Sequence, residues 1–92
     1  MNTYELVVIL TQKLSEEDKN ATVVKISNLI KDNGEVTSVD DMGVKKLAYE
    51  IKKESDGHYY LFNFMATPNS ILELERVLRI DDSVLKYMTI KK

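Results

Sequence analysis

Apolar positions along this chain change their period several times, and each change marks an element. Tyr4-Glu5-Leu6-Val7-Val8-Ile9-Leu10 is a β-branched and aliphatic run with one charge, too short and too uniformly apolar for an amphipathic helix, and it predicts a central strand. Thr11-Gln12-Lys13-Leu14 turns the chain. Ser15 followed by Asp18 has the spacing of a capping box with a shortened acid, and Glu16 and Glu17 suit the positive end of a helix dipole, so a helix begins there. Its apolar positions Val23, Ile26, Leu29 and Ile30 share one face, and Asp32-Asn33-Gly34 supplies a glycine stop.

Between Glu35 and Lys53 the pattern is strand-like but interrupted. Asp40-Asp41-Met42-Gly43 is turn or bulge chemistry lying between Val36-Thr37-Ser38-Val39 and the run from Val44 to Ile51, which predicts one long, bent strand. Glu54-Ser55-Asp56-Gly57 reads as the hairpin turn that follows, and the aromatics of His58-Tyr59-Tyr60-Leu61-Phe62-Asn63-Phe64-Met65 predict a third strand. Thr67 as N-cap and Pro68 at the first helical position open a second helix. Ile71, Leu72, Leu74, Val77 and Leu78 stand 48 residues after Val23, Val24, Ile26, Leu29 and Ile30, and Val84 stands 48 after Val36. A last strand runs from Val84 to Lys91.

This spacing makes residues 1–92 one domain built from a tandem pair of βαβ units. The right-handed crossover rule places both helices on one side of a four-stranded antiparallel sheet, an α+β, ferredoxin-like βαββαβ arrangement. The other face of the sheet then meets water or a partner. Alternation in the third strand puts the bulkier apolar set Tyr60, Phe62 and Phe64 in the core, and in the first strand Leu6, Val8 and Leu10. Val7, Ile9, Tyr59 and Leu61 are left on the open face, an apolar patch large enough to suggest an interface. A second copy of the chain or a rotated side chain would also cover it. In the fourth strand, Val84, Lys86, Met88 and Ile90 or Leu85, Tyr87, Thr89 and Lys91 are equally suitable inward sets.

Composition narrows the chemistry. Cysteine is absent and His58 is the only histidine, which argues against disulfides, iron–sulfur clusters, thiol nucleophiles and a metal site. No apolar run is long enough to span a membrane, and the Met1-Asn2-Thr3-Tyr4-Glu5 start lacks the basic region of a signal peptide, so a cytoplasmic protein is expected. Net charge is −2, but residues 1–43 hold four lysines against eight acids, and residues 44–92 hold nine Lys/Arg against seven acids. The cations of the second half come in pairs, Lys45-Lys46, Lys52-Lys53 and Lys91-Lys92, with Arg76, Arg79 and Lys86 between. Lys52-Lys53 taken alone reads as solvated surface.

Catalytic equipment is not evident, and an enzyme is not expected. His58 starts a strand beside a turn with no evident acid or serine partner, which favours a satisfied or surface histidine. Asp40-Asp41 and Asp81-Asp82 are adjacent pairs whose side chains diverge, so they read as turn acids and not as a shared-proton dyad. Gly34, Gly43 and Gly57 are isolated, without a phosphate-cradling loop. Gly57-His58-Tyr59-Tyr60-Leu61-Phe62 invites comparison with the aromatic third strand of RNA-recognition motifs, but Asp56 stands where that strand has Lys or Arg, and Tyr59 where it has a small residue.

Met42-Gly43-Val44-Lys45-Lys46-Leu47-Ala48-Tyr49-Glu50-Ile51-Lys52-Lys53 with Gly57-His58-Tyr59 resembles the most characteristic stretch of the bacterial small-subunit (30S) ribosomal protein six family. Tyr4-Glu5 and Leu78-Arg79-Ile80-Asp81-Asp82-Ser83-Val84 resemble the same family in the same order, so the resemblance covers essentially the whole chain. It implies a ferredoxin-like structural protein of the small ribosomal subunit that binds the central domain of its RNA beside the eighteenth small-subunit protein, with no cofactor. Lys45, Lys46, Arg79, Lys86, Lys91 and Lys92 are then expected at phosphates, and Tyr4 at the RNA or in the core. Val7, Ile9, Ala48, Tyr59 and Leu61 are expected at the protein partner. Asn2-Thr3 stand where family members often have basic residues, Lys45-Lys46 replaces a frequent arginine pair, and the chain ends at Lys92 where some relatives have a longer tail. The competing reading is a homo-oligomeric ferredoxin-like regulatory domain that pairs its open sheets around a small metabolite.

Overall fold

The computed structural model describes all residues from Met1 to Lys92. In chain order the elements are β1 (Asn2–Leu10), α1 (Glu16–Lys31), β2 (Gly34–Ile51), β3 (Glu54–Ala66), α2 (Pro68–Ile80) and β4 (Val84–Lys91). The sheet order is β2-β3-β1-β4 and every neighbouring pair is antiparallel, the ferredoxin-like arrangement expected from the tandem repeat. β1 and β3 occupy the centre because they carry the longest apolar runs, and a central strand is paired on both edges and covered on at least one face.

Cross-strand pairs Leu6↔Phe62 and Val8↔Tyr60 stack the inward rows of β1 and β3. These side chains, with Leu10 and Phe64, form one buried cluster with Ile26 and Ile30 of α1 and Leu74 and Leu78 of α2. Burial of each such side chain contributes about 1.5–3 kcal/mol by removal of apolar surface from water. Tyr4 belongs to this cluster: it is 6% exposed, and its ring stacks on Phe64 with centroids 5.6 Å apart. Core packing thus decides the role of Tyr4, and its ring is not available to stack on RNA.

α1 starts as its residues dictate, with the Ser15 hydroxyl accepting from the Asp18 backbone N–H at 3.1 Å. Thr67 precedes α2 in extended conformation but makes no side-chain cap, because its Oγ1 pairs instead with Ser70 Oγ at 2.8 Å. Leu72 is exposed, as is Val24, its counterpart 48 residues earlier in α1.

Three local expectations are corrected by the register. The hairpin turn is not Glu54 to Gly57: Ile51 pairs with Glu54, so Lys52-Lys53 make a two-residue turn, with φ of 49° and 65°. Gly57 lies inside β3 opposite Lys45, where a β-carbon would come within 2.4 Å of Ile9 Cγ2. Gly34 does not end α1 in the left-handed region; it begins β2, where a β-carbon would sit 2.1 Å from the Met65 carbonyl oxygen. The expected bulge in β2 is present, with the pairing shifting between Asp41 and Gly43 and Gly43 at φ 81°.

A second bulge settles β4. Leu10 pairs with Val84 and Ile9 with Lys86, which leaves Leu85 as the extra residue. Neither strict alternation therefore holds. Val84 and Tyr87 pack with the main core, whereas Leu85, Lys86, Met88 and Ile90 face the open side of the sheet.

Candidate functional site

Two features outside the main core concentrate chemistry: the open sheet face and a buried polar chain at the start of β3. On the open face, cross-strand pairing lines up Leu61 with Val7 and Val7 with Met88, and Tyr59 with Ile9 and Ile9 with Lys86. Val7, Tyr59 and Leu61 are half-buried. Ile9, expected to be exposed here, is only 4% exposed, because it forms a small second cluster with Leu47 and Leu85, flanked by Ile51 and Tyr59. The far end of the β2–β3 hairpin supplies Leu47 and Ile51 to this cluster. Between Lys46↔Asp56 and Ile51↔Glu54 the β2 side carries four residues against one, so Leu47 to Glu50 bulge out of the ladder.

The result is an apolar groove of about 200 Å³ walled by Leu47, Ala48, Tyr49 and Ile51 on one side and floored by Ile9, Tyr59, Lys86 and Met88. Lys86 Nζ lies 5.2 Å above the Tyr49 ring centroid and donates to the Tyr49 hydroxyl at 3.1 Å. Lys45 Nζ lies 5.7 Å above the Tyr59 ring. Cation–π attraction of this kind is worth about 0.5–1 kcal/mol at exposed sites, enough to hold each lysine over its aromatic wall without neutralising its charge. Nothing in the local sequence marks Leu47, Tyr49, Ile51 and Met88 as groove residues; Tyr49 follows Leu47-Ala48 in the most characteristic stretch, but only the bulge turns it toward the groove.

The six cations expected at RNA do not form one patch. Strand alternation turns Lys45 and Lys86 toward the open face and Lys46 and Lys91 toward the opposite one, and Arg79 is exposed near the end of α2. Lys92 is tied to Glu5 at 3.1 Å beside the central strand, so part of its charge is already matched. Asn63, also on the open face, donates to Ser38 Oγ at 3.0 Å.

The polar chain begins at Lys19, a lysine only 4% exposed inside the first turn of α1. Its ammonium donates to Gln12 Oε1 at 2.7 Å and to His58 Nδ1 at 3.2 Å. With Nδ1 accepting, the His58 proton sits on Nε2 and is donated to Asp41 Oδ1 at 2.5 Å. His58 also stacks on Tyr60 with centroids 4.5 Å apart. Asp41 is thus the acid partner that His58 was not expected to have, and it accepts from the Gly43 backbone N–H at 2.8 Å as well. Those bonds, the one from His58 above all, hold the Asp41 carboxyl below its ordinary 3.8. Lys19 and His58 are closed off from solvent, so the chain fastens the β2 bulge to α1. A nucleophile is not among its members.

The family model described as Ribosomal protein S6 matches residues 3–91 of this chain. Small ribosomal subunit protein bS6 of Caldanaerobacter subterraneus subsp. tengcongensis is 44% identical over 92 residues, covering 99% of this chain and 97% of the relative. The protein of the same name from an Exiguobacterium species is also 44% identical, with the same coverage of both chains. The crystal structure of 30S ribosomal protein S6 from Thermotoga maritima superposes with a TM-score of 0.93 at 28% identity, over 99% of this chain and 87% of that one. The C-terminal domain of the MgtC protein from Mycobacterium tuberculosis, 14% identical with a TM-score of 0.61 over 100% of this chain and 88% of that one, shares the fold alone.

Proposed function

Because the chain belongs to the ribosomal protein S6 family and is a protein of the small ribosomal subunit, we propose that it binds the central domain of the small-subunit RNA together with the eighteenth small-subunit protein. The observation that carries this reading is the open sheet face. It offers Leu61, Val7 and Met88 in one continuous cross-strand row, next to a groove floored by Ile9 and Tyr59 and walled by Ala48 and Tyr49. Apolar surface of this kind is stabilised by a protein partner, whereas RNA phosphates need cations.

Cations flank the face instead of filling it. Lys45 and Lys86 stand over aromatic rings at its border, and Lys46, Arg79 and Lys91 are exposed outside it. With a net charge of −2 the chain brings only local cationic contacts, and a basic partner supplies the rest of the phosphate neutralisation. The metabolite-binding alternative is disfavoured by the groove itself. Lys86 is its one charged residue among eight, which is too few convergent polar groups to orient a small polar metabolite.

Tagged chain expressed in cells is expected to sediment with small ribosomal subunits. Leu61→Asp, on the half-buried face, is expected to keep the fold but abolish the heterodimer with the eighteenth protein. A free pool that sediments as a homodimer, indifferent to that protein and to ribosomal RNA, would overturn the reading.

A further inference from the structure

The β2–β3 hairpin closes on two lysines at positions where glycine and asparagine are the unstrained choice. Lys52 and Lys53 have φ of 49° and 65°, and Ile51 pairs with Glu54 across them, the pattern of a type I′ turn. Such turns are dominated by Asn-Gly because a β-carbon is penalised wherever φ is positive. Two consecutive residues carrying that cost are not explained by folding, and a backbone outlier of this sort points to work done by the side chains.

Ion pairing does not account for them. None of Lys45, Lys46, Lys52 and Lys53 takes part in the ion pairs of the chain, although all four are exposed within one hairpin end. Three acids share the segment, Glu50, Glu54 and Asp56. Glu54 is turned back toward the body of the domain, where Thr11 Oγ1 donates to it at 2.7 Å and the Gln12 N–H at 3.1 Å. The tip is thereby left with a surplus of free ammonium groups.

We propose that this hairpin tip is an RNA phosphate-contact site, with Lys52 and Lys53 as its principal contacts and Lys45 and Lys46 beside them. The inference rests on the RNA-binding reading above and places Lys52 and Lys53 at the hairpin tip, beyond the border of the apolar face where Lys45 stands over Tyr59. Lysine is a point charge on a flexible stem and suits contact with a sugar–phosphate backbone, which positions a protein without reading sequence.

The test is Lys52→Asn/Lys53→Gly, made in the full chain and titrated against a central-domain fragment of small-subunit rRNA with the eighteenth small-subunit protein present. Relief of the turn should raise the melting temperature, so weaker binding cannot be ascribed to unfolding. Loss of two phosphate contacts should weaken binding by roughly 30-fold at 0.15 M salt and make the slope of log affinity against log salt shallower by about 1.8. Lys31→Ala, at the end of α1, should leave that slope in place. Wild-type affinity and slope in the double variant, or an equal loss in Lys31→Ala, would overturn the inference alone. Failure of the wild-type chain to bind this RNA would overturn the functional reading and the inference with it.

Discussion

Lys19 and His58 are buried side chains that hydrogen-bond each other, and removing one strands the other. Replacing His58 with Phe leaves the Lys19 ammonium with Gln12 as its one hydrogen-bond acceptor and the exposed Glu16 carboxylate 3.9 Å away, and a buried charge that loses a hydrogen-bond partner costs about 1–3 kcal/mol. Adding Lys19→Met keeps the stem and removes the stranded charge, so the double variant is expected to recover more than about 1 kcal/mol in urea unfolding. Simple addition of the two single costs would show that the pair is not coupled. Asp41 gives the same network an acid limit. Its carboxylate is better satisfied folded than unfolded, so its contribution is present above about pH 4 and is lost as pH falls through the lowered folded value. Solvent screens this exposed group, and the limb is shallow. Tyr60 has the opposite sign: desolvation, first among its causes, raises its phenol above 10.0, so stability falls as pH climbs past about 10. Asp41→Asn should flatten the acid limb of the urea midpoint against pH and, because the Asp41 charge adds to desolvation in raising the Tyr60 phenol, should soften the alkaline limb without abolishing it. None of this was legible around His58 in the sequence, because its partners lie 39 and 17 residues away.

At the scale of elements, the strands are fixed as much by where a side chain cannot go as by propensity. Gly34 begins β2 against the Met65 carbonyl, and a backbone oxygen cannot swing aside. Gly34→Ala is therefore expected to cost about 2–4 kcal/mol in chemical denaturation through displacement of the β2–β3 ladder. Gly43→Ala has open space around its β-carbon and only the φ of 81° to oppose it, so about 1 kcal/mol is expected. Equal losses in the two variants would show that the ladder yields at Gly34 and that the close approach to the Met65 carbonyl is not what restricts it. Strand identity and helix caps could be read from the sequence because they depend on neighbours two to four residues apart. The two-lysine turn and the Leu85 bulge could not, since both depend on which residue of the next strand stands opposite.

For the whole molecule, apolar surface and charge are kept apart. The apolar groove and the Val7-Leu61-Met88 row occupy the sheet face that the helices leave open, and the exposed cations lie around and behind it. With a net charge of −2, the chain alone is expected to bind non-cognate duplex RNA more weakly than about 10⁻⁴ M at physiological salt, as read by fluorescence anisotropy. Micromolar binding in the absence of a partner would mean that the scattered lysines act as one surface. Lys92, already paired with Glu5, should matter less to the salt slope than Lys91, which has no carboxylate within 4 Å.

Periodicity by itself determined the six elements, their tandem order, the side of β1 and β3 that packs on the helices, and the existence of an unhelixed apolar face. Those properties follow from local spacing of apolar side chains, which a one-dimensional pattern records. Tertiary structure decided that Tyr4 is core, that Ile9 is covered by Leu47 and Leu85 while Tyr49 and Met88 line the groove, that Lys45 and Lys46 part to opposite faces, and that His58 is satisfied by Lys19 and Asp41. Each of these turns on a bulge or a cross-strand register. A single inserted residue reverses every side chain beyond it, and its position is set by packing against another strand and not by the residues beside it.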